Sequence, residues 1–269
     1  MSEPLIVFDV STPVPRSDLA RNCAWSLAQG FPDVDEGPEW DRIVNIVASG
    51  PSAENAPLDG LTVAVNGSIR LFTEKGRHPT WWAGCDPQPC LSDFLKGAPK
   101  ETIYLVASKC DRAVFDCLPK HRIRLWHVDD VEHLPWGVMC ASTITLTTLS
   151  LFRRKGYRKF RVWGWDGCYL DGKDHVRPQL HKGEDRTVIV DDQTFQTTTT
   201  WALEAQDAVL QLARADYKVE VMGPGMIGAI LRALKVEAAQ PLEPEPCRSP
   251  TNGVTVPHLL TAEGTQHRP

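Results

Sequence analysis

The sequence predicts an α/β protein built on a doubly wound, mostly parallel sheet with helices on both faces. Three observations lead there. Short runs rich in Val, Ile and Trp recur between residues 43 and 222, apolar at successive positions, as strands buried on both faces are. Segments of helical period lie between them, so strand and helix alternate in the order of a parallel sheet with crossover helices. The chain of 269 residues, 42% hydrophobic and 23% charged, is long enough to bury a full core in one large domain, with or without additions.

Taken in order, "RSDLARNCAWSLAQGFP" places apolar residues at Leu19, Cys23, Leu27 and Ala28, a helical spacing after a cap at Ser17 or Asp18 and before the breakers Gly30 and Pro32. Strands follow at Ile43–Ala48, Leu61–Val65, Thr80–Cys85, Thr102–Ala107, Arg122–Val128, Lys159–Gly164 and Tyr217–Met222. Helices are expected at Ser68–Lys75, Ser92–Leu95, Asp111–Leu118, Ala141–Lys155, Thr200–Ala215 and Met226–Leu234. The Pro-rich stretch "AAQPLEPEPCRSPTNG" has no periodicity and reads as the start of a mobile tail. The expected organisation is an N-terminal helical extension (1–41), a Rossmann-like domain (42–236) and a flexible tail (237–269).

A formal charge of −5 gives no general attraction to nucleic acid or anionic membrane. No window of about 18 apolar residues exists, so no membrane span is expected. The eight cysteines form no CxxC pair and no apolar leader follows Met1, which fits reduced thiols in a cytoplasmic protein.

Ligands of open α/β sheets sit beyond the carboxyl ends of the strands, so the strand ends carry the functional reading. Ser49-Gly50-Pro51-Ser52 ends the first strand; it matches neither GxGxxG nor GxxxxGK, and an ordinary Gly-Pro turn also accounts for it. Asn66-Gly67-Ser68 ends the next: Asn offers a donor and an acceptor to a base or sugar, and Ser68 is placed to cap the following helix. Asp86 ends the third and suits Mg²⁺ or a ribose hydroxyl, with an Asx turn as the competing account. "FRVWGWDGCYLDGKDHV" is the densest: Asp166 follows the strand, then Asp174 and His175 lie in a Gly-containing loop, where a His beside carboxylates suits acid–base work unless the loop is a solvated turn. Ala141, Ser142 and Thr143 open a long apolar helix whose free N–H groups suit a phosphate. The Trp residues, among them Trp81, Trp82, Trp163 and Trp165, read as core before they read as a stacking surface.

The succession "VASGPSAENA", "VAVNGS", "PTWWAGCDPQP", "CASTITLTTLSLFRRKGYRKFRVWGWDGCY" and "DGKDHVRPQ" resembles the 6-hydroxymethylpterin diphosphokinase-like family, which includes flagellin-glycosylation accessory proteins. It shares a pattern with bacterial lipooligosaccharide sialyltransferases. The likeness runs from about Ile43 to Leu234, and its motif positions here are Gly50, Pro51, Ser52, Asn66, Asp86, Gly164 and Asp166. It implies a nucleotide-dependent transferase. The pterin branch moves the diphosphate of ATP to a hydroxymethyl group with Mg²⁺; the sialyltransferase branch passes a CMP-activated sugar to a hydroxyl without an essential metal. The loop "CDPQPC" departs from the pterin branch in lacking an acidic cluster, and the His175 loop resembles that of bacterial and phage-type proteins.

The leading expectation is therefore (di)phosphate transfer from ATP to a hydroxyl acceptor. Gly50, Pro51, Ser52, Asn66, Gly67, Ser68, Ser142 and Thr143 would bind the nucleotide, and Asp86 with Asp166 would hold Mg²⁺. His175, Asp166 and Asp174 would be catalytic. Glycosyl transfer from a nucleotide sugar and a non-catalytic nucleotide-binding module are the alternatives.

Overall fold

The computed structural model describes residues 14–128, 137–138, 141–177 and 185–234. The elements run α1 (Arg16–Ala28), β1 (Trp40–Val47), β2 (Thr62–Val65), α2 (Ile69–Glu74), β3 (Trp81–Gly84), β4 (Ile103–Ala107), α3 (Arg112–Asp116), β5 (Ile123–Val128), β6 (Gly137–Val138), α4 (Ile144–Arg154), β7 (Tyr157–Trp163), β8 (Asp185–Val190), β9 (Gln193–Thr198), α5 (Thr199–Leu212), β10 (Lys218–Val221) and α6 (Met226–Ala233). Among the described residues eight parallel strands form one sheet in the order β10-β7-β1-β2-β3-β4-β5-β6. The chain spreads from β1 to β6 in one direction and then returns to place β7 and β10 on the other side of β1. The crevice between the ends of β1 and β7 is thus the switch point of the winding.

Continuous burial explains why the strand runs are apolar. Val44, Ile46 and Val47 in β1 and Val63 and Ala64 in β2 are wholly buried, as is Phe160 in β7. Helix α4 presents Leu146, Leu149 and Phe152 to the sheet, and Phe152 packs edge-on against Trp81 with centroids 5.2 Å apart. Trp81 and Trp82 belong to the core, and the Trp82 indole N–H donates to the Asn66 carbonyl at 2.8 Å, fixing the turn after β2. Helix α1 docks on the end of β4: Ser26 donates to the Ser108 carbonyl at 2.9 Å, and the Asn22 amide donates to that of Lys109 at 3.1 Å.

Several local expectations change. Helix α1 is preceded by Pro15, with no side-chain cap from Ser17 or Asp18. Helix α4 begins at Ile144 rather than Ala141, because the Thr143 hydroxyl accepts the Leu146 N–H at 3.1 Å and fixes the first turn there. Residues Pro89–Leu95 form a 3₁₀ helix that starts at a proline. The hairpin of β8 and β9, absent from the sequence reading, packs on α5 and α6 as a separate two-stranded sheet. Its one-sided burial and exposed Ile189 give it no continuous apolar run; the usable signal was β-branched residues on both sides of Asp191-Asp192. The expected tail lies outside the described residues. No described helix is long and apolar enough to cross a membrane.

Ser68 does not cap α2 and does not face a ligand. Its hydroxyl is fully buried, donates to the Val47 carbonyl at 2.6 Å and accepts the Val65 N–H at 2.8 Å, so it stitches the end of β1 to the end of β2. Ser68→Ala should strand both backbone groups and lower stability by about 3 kcal/mol, seen in urea titrations as a lower midpoint at unchanged slope.

Candidate functional site

The loops after β1 and β7 run side by side: Ala48 N–H donates to the Trp163 carbonyl at 2.8 Å, and Gly50 N–H to that of Gly164 at 2.7 Å. Asp166 locks them. Its Oδ2 accepts the Ser52 N–H at 2.9 Å, the Ser52 hydroxyl accepts the Gly164 N–H at 3.0 Å, and the Asp166 carbonyl accepts the Ile227 N–H at 3.2 Å from α6. A Cβ on Gly50 would lie 2.5 Å from Asp166 Oδ2, and one on Gly225 would lie 2.5 Å from the Asp166 Cα, so both positions exclude side chains. Asp166 is 3% exposed, and burial raises its carboxyl above the ordinary range against the opposing bonds from Ser52.

Two of the expected residues have a structural task as well: Ser52 and Asp166 tie the two loops together, Asp166 borders a recess with its Oδ1 left without a hydrogen-bond partner among the described residues, and Pro51 borders a different groove, under the hairpin. Asp86 ends β3, three strand positions from β7. At about 4.8 Å per strand, the strands that lead to Asp86 and Asp166 lie roughly 14 Å apart in the sheet. Among the described residues no group of three or more His, Cys, Asp or Glu is arranged to hold a metal. Asp86 instead closes an Asx turn, its Oδ1 accepting the Gln88 N–H at 2.9 Å.

Beyond the ends of β1, β2 and β3 lies an open cleft of about 360 Å³, roofed by the start of α4, by α5 and by the segment after β7. Ser49, Asn66, Gly67, Asp86, Ser142, Thr143 and His175 all line it, as do Trp165, Trp201 and Glu204. Gly50, Asp166 and Asp174 border a recess that shares His175, Trp201 and Glu204 with it. Among the described residues, Asn66 Oδ1, Ser142 Oγ and Trp165 Nε1 in this lining are buried polar atoms with no hydrogen-bond partner. Asn66 also stands at φ +46°, the left-handed conformation that Asn adopts more readily than other residues with side chains.

At the start of α4 the Ser142 N–H donates to Asp207 Oδ2 at 2.9 Å, and Thr143 caps the helix. By helix geometry the N–H groups of Ile144 and Thr145, which also line the cleft, have no intrahelical acceptor. The segment 168–177 straps the opposite side. Val176 N–H donates to the Ser49 carbonyl at 2.8 Å, and Arg177 is gripped by Glu54 at 2.9 Å and by Glu74. His175 is thereby held over the cleft, Nδ1 3.4 Å from Asp174 Oδ2 and the ring edge-on to Trp201 with centroids 6.2 Å apart.

Trp201 and Glu204 escape a sequence reading centred on strand ends because they lie on α5, well away from any motif. One signal was available: Glu204 falls on the inward stripe marked by Ala205, Ala208 and Leu212, where an acidic residue is out of place. Burial and the nearby Asp207 raise the Glu204 carboxyl to about 8. No Lys or Arg lines the cleft among the described residues.

No protein-family model and no curated protein matches the chain. Among solved structures it is similar to the one described as "Structure of MAf glycosyltransferase from Magnetospirillum magneticum AMB-1", at 12% identity and a TM-score of 0.57. The match covers 86% of this chain and 43% of that one, so the chain spans less than half of the solved protein. At this identity the likeness is one of fold.

The raised Glu204 carboxyl sets a pH dependence. Between about pH 4.5 and 8 the folded protein binds one proton more than the unfolded chain, so stability falls as pH rises through that window. Equilibrium unfolding should show a contribution near 1.4 kcal/mol per pH unit in mid-window, absent in Glu204→Gln. An unchanged slope in the variant would refute the assignment.

Proposed function

We propose that the chain is a transferase that passes a glycosyl group from a nucleotide sugar to an acceptor hydroxyl. The observation that carries this reading is the gathering of three buried, unpartnered polar atoms around one cleft at the strand ends, beside His175. Buried polar groups without partners are rare, and a ligand with several donors and acceptors would satisfy them. The Asn66 amide takes a base or ribose group. Ser142, with the N–H groups of Ile144 and Thr145, takes the phosphate at the start of α4. His175, oriented by Asp174 and Trp201, accepts the proton of the attacking hydroxyl.

Two features favour glycosyl transfer over diphosphate transfer from ATP. Phosphoryl transfer rests on neutralising a triphosphate with cations, and the described cleft offers carboxylates but no Lys or Arg. The two acidic residues expected to share Mg²⁺ end strands that are three positions apart. The fold likeness to a protein described as a glycosyltransferase points the same way.

The test is a thermal-shift titration with CMP, CTP, GTP and ATP, each with Mg²⁺ and with chelator, followed by assays of nucleotide-sugar consumption. A midpoint rise with a nucleoside monophosphate that survives chelation is expected. Asn66→Ala and Ser142→Ala should each weaken that binding by about tenfold, and His175→Ala should cut turnover by roughly 10²–10⁴ while binding stays intact. A Mg²⁺-dependent response to ATP alone would return the reading to diphosphate transfer, and no response to any nucleotide would leave a non-catalytic module.

A further inference from the structure

Helix α5 is tied to the start of α4 where the Ser142 N–H donates to Asp207 Oδ2 at 2.9 Å, with the Gln211 amide holding Asp207 Oδ1 at 2.9 Å from the other side. Residues three apart on a helix are neighbours, about 5–6 Å between Cβ atoms, so Glu204 stands beside Asp207 on the same face. Glu204 lines both the main cleft and the recess beside it, together with the first turn of α4 and His175 in the cleft. We infer that Glu204 is the acid of this site, giving its proton to the phosphate oxygen of the departing nucleotide as His175 takes the proton of the acceptor hydroxyl.

The inference rests on the proposed glycosyl transfer and assigns its second proton. In the step, the bond from the sugar's anomeric carbon to the phosphate oxygen breaks and the bond to the acceptor oxygen forms. The hydroxyl proton goes to the His175 imidazole, the Glu204 proton goes to the phosphate, and proton exchange with solvent resets both groups.

The surroundings select these roles. The titratable groups around Glu204 are Asp207 from its own helix, Asp174 and His175 from the strap, Asp86 from the end of β3, and Asp166 and Cys168 in the recess. Four of the six are carboxyls, and no Lys or Arg joins them among the described residues. Burial and Asp207 lift Glu204 to about 8, so it carries its proton at neutral pH, and an arriving phosphate reinforces that state. His175 lies across the same cleft, its Nδ1 3.4 Å from Asp174 Oδ2. A carboxyl that keeps its proton and an imidazole in one cleft are suited to the parts of acid and base.

The experiment uses the full chain and calorimetric binding of CMP, UMP, AMP and GMP at pH 7.0 and pH 9.0, where the phosphates are mostly dianions; residual ionisation of the ligand, including the uracil and guanine ring N–H groups, is common to wild type and Glu204→Gln and cancels in their comparison. For the monophosphate that binds, wild-type affinity should fall by about tenfold or more across this range, as Glu204 loses the proton it donates. Glu204→Gln keeps a donor without a titrating proton and should bind with little pH dependence. Its consumption of nucleotide sugar should drop about 100-fold at pH 7, and its pH–rate profile should lose the fall above pH 8. Binding that is flat with pH in the wild type, or a Gln variant with wild-type turnover and profile, overturns the role of Glu204 and leaves glycosyl transfer standing. If the wild type binds none of the four, the transfer reading itself falls and the inference falls with it.

Discussion

One buried carboxylate governs the geometry of this molecule's crevice. Asp166 reaches back from the turn after β7 to the Ser52 N–H after β1, and its own carbonyl receives the first turn of α6. A carboxyl group that is 3% exposed is tolerated because these bonds offset part of its lost hydration, and the glycines at 50 and 225 let three backbones close around it. Once the loops after β1 and β7 are joined, the sheet has a fixed opening at the point where its winding reverses. The candidate cleft lies beside that opening, sharing Ser49 and Trp165 with the recess that Gly50 and Asp166 border.

The cleft is assembled from parts far apart in the chain, each fixed by its own tie. Ser68 joins the ends of β1 and β2, Trp82 pins the left-handed turn at Asn66, and Asp207 fastens α5 to the start of α4. The strap 168–177 is held at both sides, by Val176 on the Ser49 carbonyl and by Arg177 between Glu54 and Glu74. Rigid supports of this kind leave the atoms of Asn66, Ser142 and Trp165 as polar groups without a partner among the described residues.

Strand-end motifs therefore contain two kinds of residue that look alike in sequence. Gly50, Ser52, Ser68 and Asp166 are small or polar because backbones meet there and need hydrogen bonds without bulk. Asn66, Asp86, Ser142 and His175 lie at similar places and line the open cleft. A Ser after a strand carries no mark of which way its hydroxyl will turn, since the direction depends on the neighbouring strand.

The alternation of apolar runs and helical periods determined the parallel sheet, the strand ends as the place of the site, and His175 with Asp174 as a group worth testing, because periodicity and turn chemistry are local properties of the chain. Tertiary structure alone decided that β7 lies beside β1 and three positions from β3, which separates Asp86 from Asp166, and that α5 crosses the cleft to bring Trp201 and Glu204 into it. Strand order and helix placement arise from contacts between residues more than a hundred positions apart, such as Ser52 with Asp166, and no local pattern encodes such pairings.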